Sequence, residues 1–557
     1  MRKLLGILLT IAMLLTCVCA TAENATPALT RDLTILFTSD VHCGIDQGFG
    51  YAGLAAMRDQ LAKKANVLLV DDGDAIQGEP VGTMTKGEAI IGLMNAVGYD
   101  VAIPGNHEFD YGMENFLELT KKANFPYISA NFNKNGELVF QPYVIKDVEG
   151  VKVAFVGVTT PRTITSSTPK YFQDENGNFI YGFMEDETGE KLYAGVQSAV
   201  DAARAEGAAY VFVMGHVGNE DNCRPYTYAD IITNTTGIDA FMDGHSHDTD
   251  KATVTNKEGK KVLRVACGTK LGCVGYVTVS AKDGAITGGL YTWDNAISAP
   301  DLLGIENSVT TAVAEATDEL NAKLSQVVAH TAVKLTVDDP TAVDEAGKPI
   351  RIIRRAETNL GDLCADAYRD QSGAQIALVN GGGIRTNIEA GDITLNNILK
   401  VHPFGNEMCV VEVTGQQVLD ALEYGARDVP NECGGFMQVS GLTYEIHTYI
   451  PSSCTHDERN MFTGVDGEYR VKNVKVGGED LDVTKTYTLA SHNYMLLGDG
   501  DGMAMFRGAK VLKEGVKLDN QVLIDYIVDT LGGVVGEAYA NPYGEGRIVA
   551  VEEAPAK

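Results

Sequence analysis

Three things are scarce in this 557-residue chain, and each absence excludes a class of protein. Beyond residue 22 there is no apolar run long enough to cross a bilayer, which takes about 20 residues, so the mature chain is expected to be soluble. Among ten cysteines there is no CxxC pair and no zinc-ribbon spacing. Positive charge is also short: 45 Lys and Arg face 75 Asp and Glu, a formal charge of -30. Such a surface repels a nucleic-acid polymer or an anionic membrane. An anionic small molecule would need a local positive source, either metal ions or a few arginines. No sorting motif of the LPxTG type closes the chain.

What is present begins with an export signal. Residues 1–22, MRKLLGILLTIAMLLTCVCATA, combine Arg2 and Lys3 with a short apolar core and an Ala20-Thr21-Ala22 cleavage site. The expected location is periplasmic, cell-surface or extracellular. Thr16 and Val18 are poor residues to precede a lipid-bearing Cys17 or Cys19. Eight cysteines remain after the signal; export permits disulfides, and Cys433 with Cys454 is the pair to expect. The length exceeds one hydrophobic core, and 45% apolar residues with 60 glycines fit a globular chain rich in turns.

Residues 32–296 alternate two kinds of segment. Apolar runs such as LTILFTSDVH, NVLLVDDGD, VAIPGNH, VKVAFVGVTTP, YVFVMGHVG and IDAFMDGHSH show little alternation, as strands buried on both faces do. Between them lie helical stretches, including 51–65 and 115–123. Strand and helix in alternation predict an α/β layered domain with ligands at the carboxyl ends of the strands. Over 305–328, Val309, Val313, Ala316, Leu320, Leu324 and Val327 recur at helical steps and predict a linker helix. A second α/β unit follows over 329–550, with no internal repeat of the first, and the tail VEEAPAK is expected to be structureless.

The polar residues that end the runs form a pattern. They are Asp40 and His42, Gly73-Asp74, Gly105-Asn106-His107-Glu108-Phe109-Asp110, Gly215-His216, and Gly244-His245-Ser246-His247. The first five of ten histidines all fall there. Asp40 and His42, like His245 and His247, are two apart, so on a regular strand each pair would point one way and serve one ion. Imidazole with carboxylate and amide oxygen suits zinc, manganese, iron or cobalt better than calcium. Glu108 reads as a surface acid and Phe109 as packing. In the second unit, RRAETNLGDLCADA (354–367), NGGGIR (380–385), HPFGN (402–406) and SHNYMLLGDGDG (491–502) stand out; three successive glycines let backbone approach a ligand, and Arg385 brings charge.

In this order the five N-terminal blocks resemble the calcineurin-like metallophosphoesterases, and DGDAIQG with GNHEFDYG narrows the resemblance to the 5'-nucleotidase branch, across nearly the whole mature chain. The resemblance implies a four-layer α/β/β/α domain joined by a helix to a second α/β nucleotide-binding domain. It implies two divalent ions: Asp40, His42, Asp74 and His247 on one; Asp74, Asn106, His216 and His245 on the other. His107, held by Asp110, would act on the transferring or leaving oxygens. Phe404 and Tyr494 would sandwich the base. Asn380, Gly382, Arg385 and Asp501 would hold base, ribose or the phosphate side, with Arg354 or Arg355 adding positive charge.

Four departures bear on specificity. His247 stands where some relatives use Gln, and Tyr494 where many have Phe. The loop after Tyr494 is one residue longer, leaving Asp499 as the alternative to Asp501. Asp362 stands where relatives often have Asn. The expected function is an exported phosphohydrolase removing phosphate from nucleotides, a 5'-nucleotidase. The rivals are a 2',3'-cyclic-nucleotide phosphodiesterase with 3'-nucleotidase activity, a UDP-sugar hydrolase, and a non-catalytic nucleotide-binding surface protein. The family turns one domain against the other, and 305–328 is the expected hinge.

Overall fold

The computed structural model describes residues 28–292, 306–344 and 347–553. The expected signal at 1–22 lies outside the described residues. No helix among the described residues is long and apolar enough to cross a membrane.

The N-terminal unit is built on two sheets. One carries the parallel strands Leu33–Thr38, Asn66–Asp71 and Val101–Ala102, continued antiparallel by Cys273–Val279 and Ile286–Thr292. The other has Val151–Thr159, Tyr210–His216, Ala240–Asp243 and Lys261–Cys267 in parallel, flanked antiparallel by Tyr143–Val148 and Thr249–Thr255. Between the sheets lies an apolar layer containing Ile35, Phe37, Val70, Phe155, Phe212 and Met214. Helices Gly50–Leu61, Glu88–Val97 and Met113–Lys122 contribute to the core on one outer face, and Glu190–Ala205 and Tyr228–Asn234 to that on the other. This is the four-layer α/β/β/α order. The apolar runs lack alternation because neighbouring residues serve different layers: Leu36 belongs to the outer core, Ile35 and Phe37 to the inner.

The linker helix spans Ser308–Leu324, capped by Asn307, whose side chain accepts from Val309 and Thr310 backbone N–H groups. It packs on helices Gly50–Leu61 and Glu88–Val97, and Val309, Val313 and Leu320 join the first domain's core. Val327 corrects the expected helical face. It opens the strand Val327–Thr331 and is exposed, because Ser325 already caps the helix.

The second unit centres on a five-stranded sheet ordered Met437–Ser440, Ile376–Asn380, Thr486–His492, Met408–Thr414 and Lys510–Lys513. Along Ile376–Asn380, Ala377 and Val379 share a core with helix Asn359–Ser372, whereas Ile376 and Leu378 share one with helix Gly415–Gly425. The last strand, Ile548–Val551, takes in the first residue of the tail expected to be structureless; 554–557 lie outside the described residues. All eight described cysteines are free, so Cys433 and Cys454 are not bridged.

Candidate metal centre and substrate cleft

Parallel strands of both sheets end at one edge of the first domain, and the polar clusters occupy that edge. Leu33–Thr38, Asn66–Asp71 and Val101–Ala102 deliver Asp40 and His42, Asp74, and Asn106 with His107; Tyr210–His216 and Ala240–Asp243 deliver His216, His245 and His247. The expectation that paired ligands lie along regular strands is corrected. Asp40 (φ 52°), His42 (47°), Asp74 (60°), His245 (81°) and His247 (54°) all take the left-handed conformation just beyond the strand ends. There, backbone turning rather than pleat alternation aims the side chains. Asp and His tolerate this region better than most residues, but each position still costs about 1–2 kcal/mol, so the surroundings must enforce it.

The enforcement is visible. Glu108 is buried, not the surface acid expected: its carboxylate accepts backbone N–H groups of Asp74 (2.8 Å), Ala75 (2.8 Å) and Gly105 (2.6 Å). Burial, then the nearby Asp74 carboxylate, lifts its pKa to about 7. A side chain at Gly105 would sit 2.6 Å from the Asp74 backbone nitrogen, which is why the residue before Asn106 has none. Phe109 is core, as expected, edge-on to Phe116, Phe132, Phe172 and Phe183 with centroids 5.1–5.8 Å away.

Two groups of side chains converge. The Asp40, His42 and His247 donor atoms cluster, as do those of Asp40, Asp74 and His216. His216 Nε2 is 3.1 Å from Asp74 Oδ2 and 3.2 Å from Asn106 Oδ1, and His245 Nδ1 is 2.8 Å from the same amide oxygen. His247 Nε2 stands 3.4 Å from Asp40 Oδ1 and 3.0 Å from His42 Nε2. His42 Nδ1 lies 2.9 Å from the Gln77 carbonyl and His216 Nδ1 2.8 Å from the Asp72 carbonyl. A carbonyl only accepts, so both rings carry their proton on Nδ1 and turn Nε2 inward. Burial, reinforced by His247, presses the His42 pKa to about 3 and keeps it neutral. Burial also opposes charge on His216, but Asp74 and Asp40 overcome it and push the pKa up to about 10. The carboxylates demand a positive charge at that point, and a cation meets the demand as well as a proton does. The donor set therefore fits divalent metal.

His107 stands apart from these groups. Its backbone N–H donates to Asp74 Oδ1 (2.8 Å) while its ring turns to Asp110, with Nδ1 2.6 Å from Oδ2. Ser167 Oγ donates to the other Asp110 oxygen at 2.8 Å. Burial resists protonation of His107, but Asp110 and Asp74 outweigh it and raise the pKa.

A cavity of about 340 Å³ opens above this floor, and residues of the second domain form its other wall. Arg354, Asn380, Gly382, Arg385, Phe404, Tyr494 and Asp501 all line it. Asn380 ends the strand Ile376–Asn380, and Tyr494 follows its parallel neighbour Thr486–His492. The Phe404 ring lies 5.9 Å from the His107 ring, and the Arg385 guanidinium lies over Phe404 at 5.7 Å. Asp501 accepts from Asn380 Nδ2 at 2.7 Å, whereas Asp499 pairs with Arg507 at 2.8 Å outside the cleft, so the longer loop presents Asp501. Arg355 turns away, donating to the Pro430 carbonyl at 3.2 Å; Arg354 is the one that faces in. Asp362 is buried away from the cleft; burial, opposed by Arg547 and aided by Glu357, lifts its pKa to about 9, leaving it neutral as an amide would be.

Sequence reasoning missed Arg351, Arg162, Glu220 and Asn406, which also line the cleft. The signal for Arg351 was present: RIIRR places three arginines within five residues. Burial and the proximity of Arg351 bring the pKa of Arg354 to about 9 and of Arg385 to about 10, and Arg354 Nε has no hydrogen-bond partner among the described residues. Clustered, under-satisfied guanidiniums supply the local positive source that a chain of charge -30 needs.

Similarity to known proteins covers both domains. The calcineurin-like phosphoesterase model matches residues 33–249, and the 5'-nucleotidase C-terminal domain model matches 327–508. The chain belongs to the 5'-nucleotidase family. It is a metal-dependent phosphoester hydrolase. The 5'-nucleotidase of Vibrio cholerae is 28% identical over 93% of this chain and 94% of its own. The trifunctional nucleotide phosphoesterase YfkN of Bacillus subtilis is 29% identical over 93% of this chain; the chain spans only 35% of that relative's length. The crystal structure of a 5'-nucleotidase precursor from Thermus thermophilus superposes with a TM-score of 0.74 at 28% identity, covering 94% of this chain and all of that one.

Proposed function

We propose that this nucleotide phosphohydrolase cleaves 5'-phosphomonoesters of nucleosides outside the cytoplasm. One observation carries the reading: a ring, Phe404, and two arginines from the second domain stand over His107 and the metal-binding floor of the first, in one cavity. Such a wall grips a flat base and an anion while the ester bond lies on the floor. The N-terminal 22 residues support export.

The roles follow from the side chains. Asp40, His42, Asp74 and His247 would hold one divalent ion; Asp74, Asn106, His216 and His245 would hold a second, with Asp74 shared. Zinc, manganese, cobalt or iron suits these donors. When bound, the ions polarise phosphate oxygens and bring a water to ionise near neutral pH. Asn106 contributes an oxygen without adding negative charge. His107, kept protonated by Asp110, hydrogen-bonds the phosphate oxygens and gives a proton to the leaving oxygen. Arg354 and Arg385 hold the anionic side of the substrate. Phe404 and Tyr494 stack on the base, worth about 1–3 kcal/mol per base and tolerant of base identity. Asn380 and Asp501 bind the base edge or ribose.

Phosphate release from AMP, 3'-AMP, 2',3'-cyclic AMP and UDP-glucose tests the assignment. AMP should be hydrolysed with the highest kcat/KM, and chelator should abolish turnover. Preference for 3'-AMP or the cyclic ester would replace the 5' assignment, and hydrolysis that survives exhaustive chelation would refute the metal centre.

A further inference from the structure

Arg264 is fully buried in the strand Lys261–Cys267, behind the floor of the cleft. A buried guanidinium is costly unless every donor finds an acceptor. Its Nε and Nη2 donate to Asp243 Oδ2 at 3.2 and 2.8 Å. Its Nη1 and Nη2 donate to the two oxygens of Asp248 at 2.6 and 3.0 Å. Asp250 approaches Nη1 at 3.5 Å, and the Tyr228 ring covers the guanidinium at 4.4 Å.

Asp243 and Asp248 are the residues on either side of Gly244-His245-Ser246-His247. That four-residue turn holds two histidines in left-handed conformations, at φ 81° and 54°, which a free loop would relax. Arg264 therefore joins both ends of the turn through one planar group. Its reach extends to a third histidine: Asp243 Oδ1 accepts the backbone N–H groups of Val217 (3.3 Å) and Gly218 (3.2 Å), directly after His216. Burial raises the Asp243 pKa and the Arg264 charge counters it.

We propose that Arg264 is a positioning residue for metal binding, a clasp that keeps His216, His245 and His247 converged without touching any ion itself. The proposal rests on the metal reading given above. It differs from a plain stability role because the clasp acts on ligand geometry, so its loss should weaken metal affinity more than it lowers the stability of the metal-free fold. Supporting shells around metal ligands typically contribute 10–100-fold in affinity.

The test is calorimetric titration of the full-length, metal-stripped protein with Mn2+, alongside the thermal midpoint of the metal-free form and the visible spectrum of the Co2+-loaded form. Arg264→Gln should weaken Mn2+ binding by about 10–100-fold and alter the Co2+ bands. Arg264→Lys, which keeps charge but loses the planar fork, should fall between. Asp248→Asn, on the partly exposed side, keeps the Asp243 arm and should weaken binding several-fold; it carries the test if Arg264 variants do not fold. Unchanged Mn2+ affinity and Co2+ spectrum in folded Arg264→Gln, or in Asp248→Asn where the former does not fold, would overturn the clasp. A wild-type protein that takes up no Mn2+ or Co2+ would instead remove the metal centre, and the clasp with it.

Discussion

At the scale of single residues, proximity in sequence did not mean similarity of role. Within GNHEFD, Asn106 turns its amide oxygen to His216 and His245, His107 faces the cleft, Glu108 ties the Asp74 loop, Phe109 fills the core and Asp110 orients His107. Because His107 sits outside the two ligand groups, His107→Ala should leave metal content unchanged while lowering turnover by about 10²–10⁴-fold. Elemental analysis beside kcat decides it. Asp362 gives a pH prediction. Its folded-state pKa is raised to about 9, against an ordinary carboxyl near 4 when unfolded, so between those values the folded state binds the extra proton. Stability contributed through this group therefore falls as pH rises across that window. Asp362→Asn removes the titration, so thermal midpoints measured from pH 5 to 9 should decline less steeply than in the wild type. An equally steep decline would show that Asp362 is already ionised in the fold.

At the scale of elements, strand identity and the position of the functional loops were legible, because unbroken apolar runs followed by Asp, His and Gly are hard to place anywhere but at buried strand ends. Conformation within those loops was not. Among the positive-φ residues, Asp74 donates its backbone N–H to Glu108, His245 to Asp40, Asp40 to the Gly73 carbonyl and His42 to the Asp74 carbonyl; these partners lie on other loops, and no local pattern announces them. Gly105→Ala probes this level. A methyl there meets the Asp74 backbone and carboxylate, so the loop must shift. The expected outcome is a folded protein whose metal affinity and activity both drop by at least about tenfold, read by titration and phosphate release. The helix Ser308–Leu324 shows the same limit. Its apolar spacing predicted a helix, but only tertiary packing assigned it to the first domain's core rather than to a free-standing connection.

At the scale of the whole molecule, the site exists only because two domains meet. Besides the cleft itself, Thr83 Oγ1 donates to the Pro403 carbonyl (2.5 Å), Lys400 pairs with Glu79 (3.1 Å), Arg459 with Glu185 (2.9 Å), and the Tyr494 hydroxyl donates to the Thr165 carbonyl (2.9 Å). Across this interface the partly exposed ion pairs contribute only about 0–1 kcal/mol each, and Met461 of the second domain adds an apolar contact by joining the first domain's core. Division of labour across it predicts separable defects. Phe404→Ala should raise KM for AMP by about 5–150-fold, matching about 1–3 kcal/mol of lost stacking, yet leave hydrolysis of 4-nitrophenyl phosphate, which lacks a nucleobase, within a few-fold of wild type. An equal loss on both substrates would place Phe404 with His107 in the chemistry instead.

The sequence by itself determined the layered α/β class, the edge on which the polar residues gather, and the chemical character of that edge, since period and residue type are local properties. Tertiary structure alone decided which of Arg354 and Arg355 and which of Asp499 and Asp501 face the cleft, that Glu108 is internal, that Arg264 spans a histidine turn, and that Arg351 lines the cleft. Those outcomes depend on which distant segments meet a side chain and on how a turn rotates it, and neither is written in the spacing of residues along one strand.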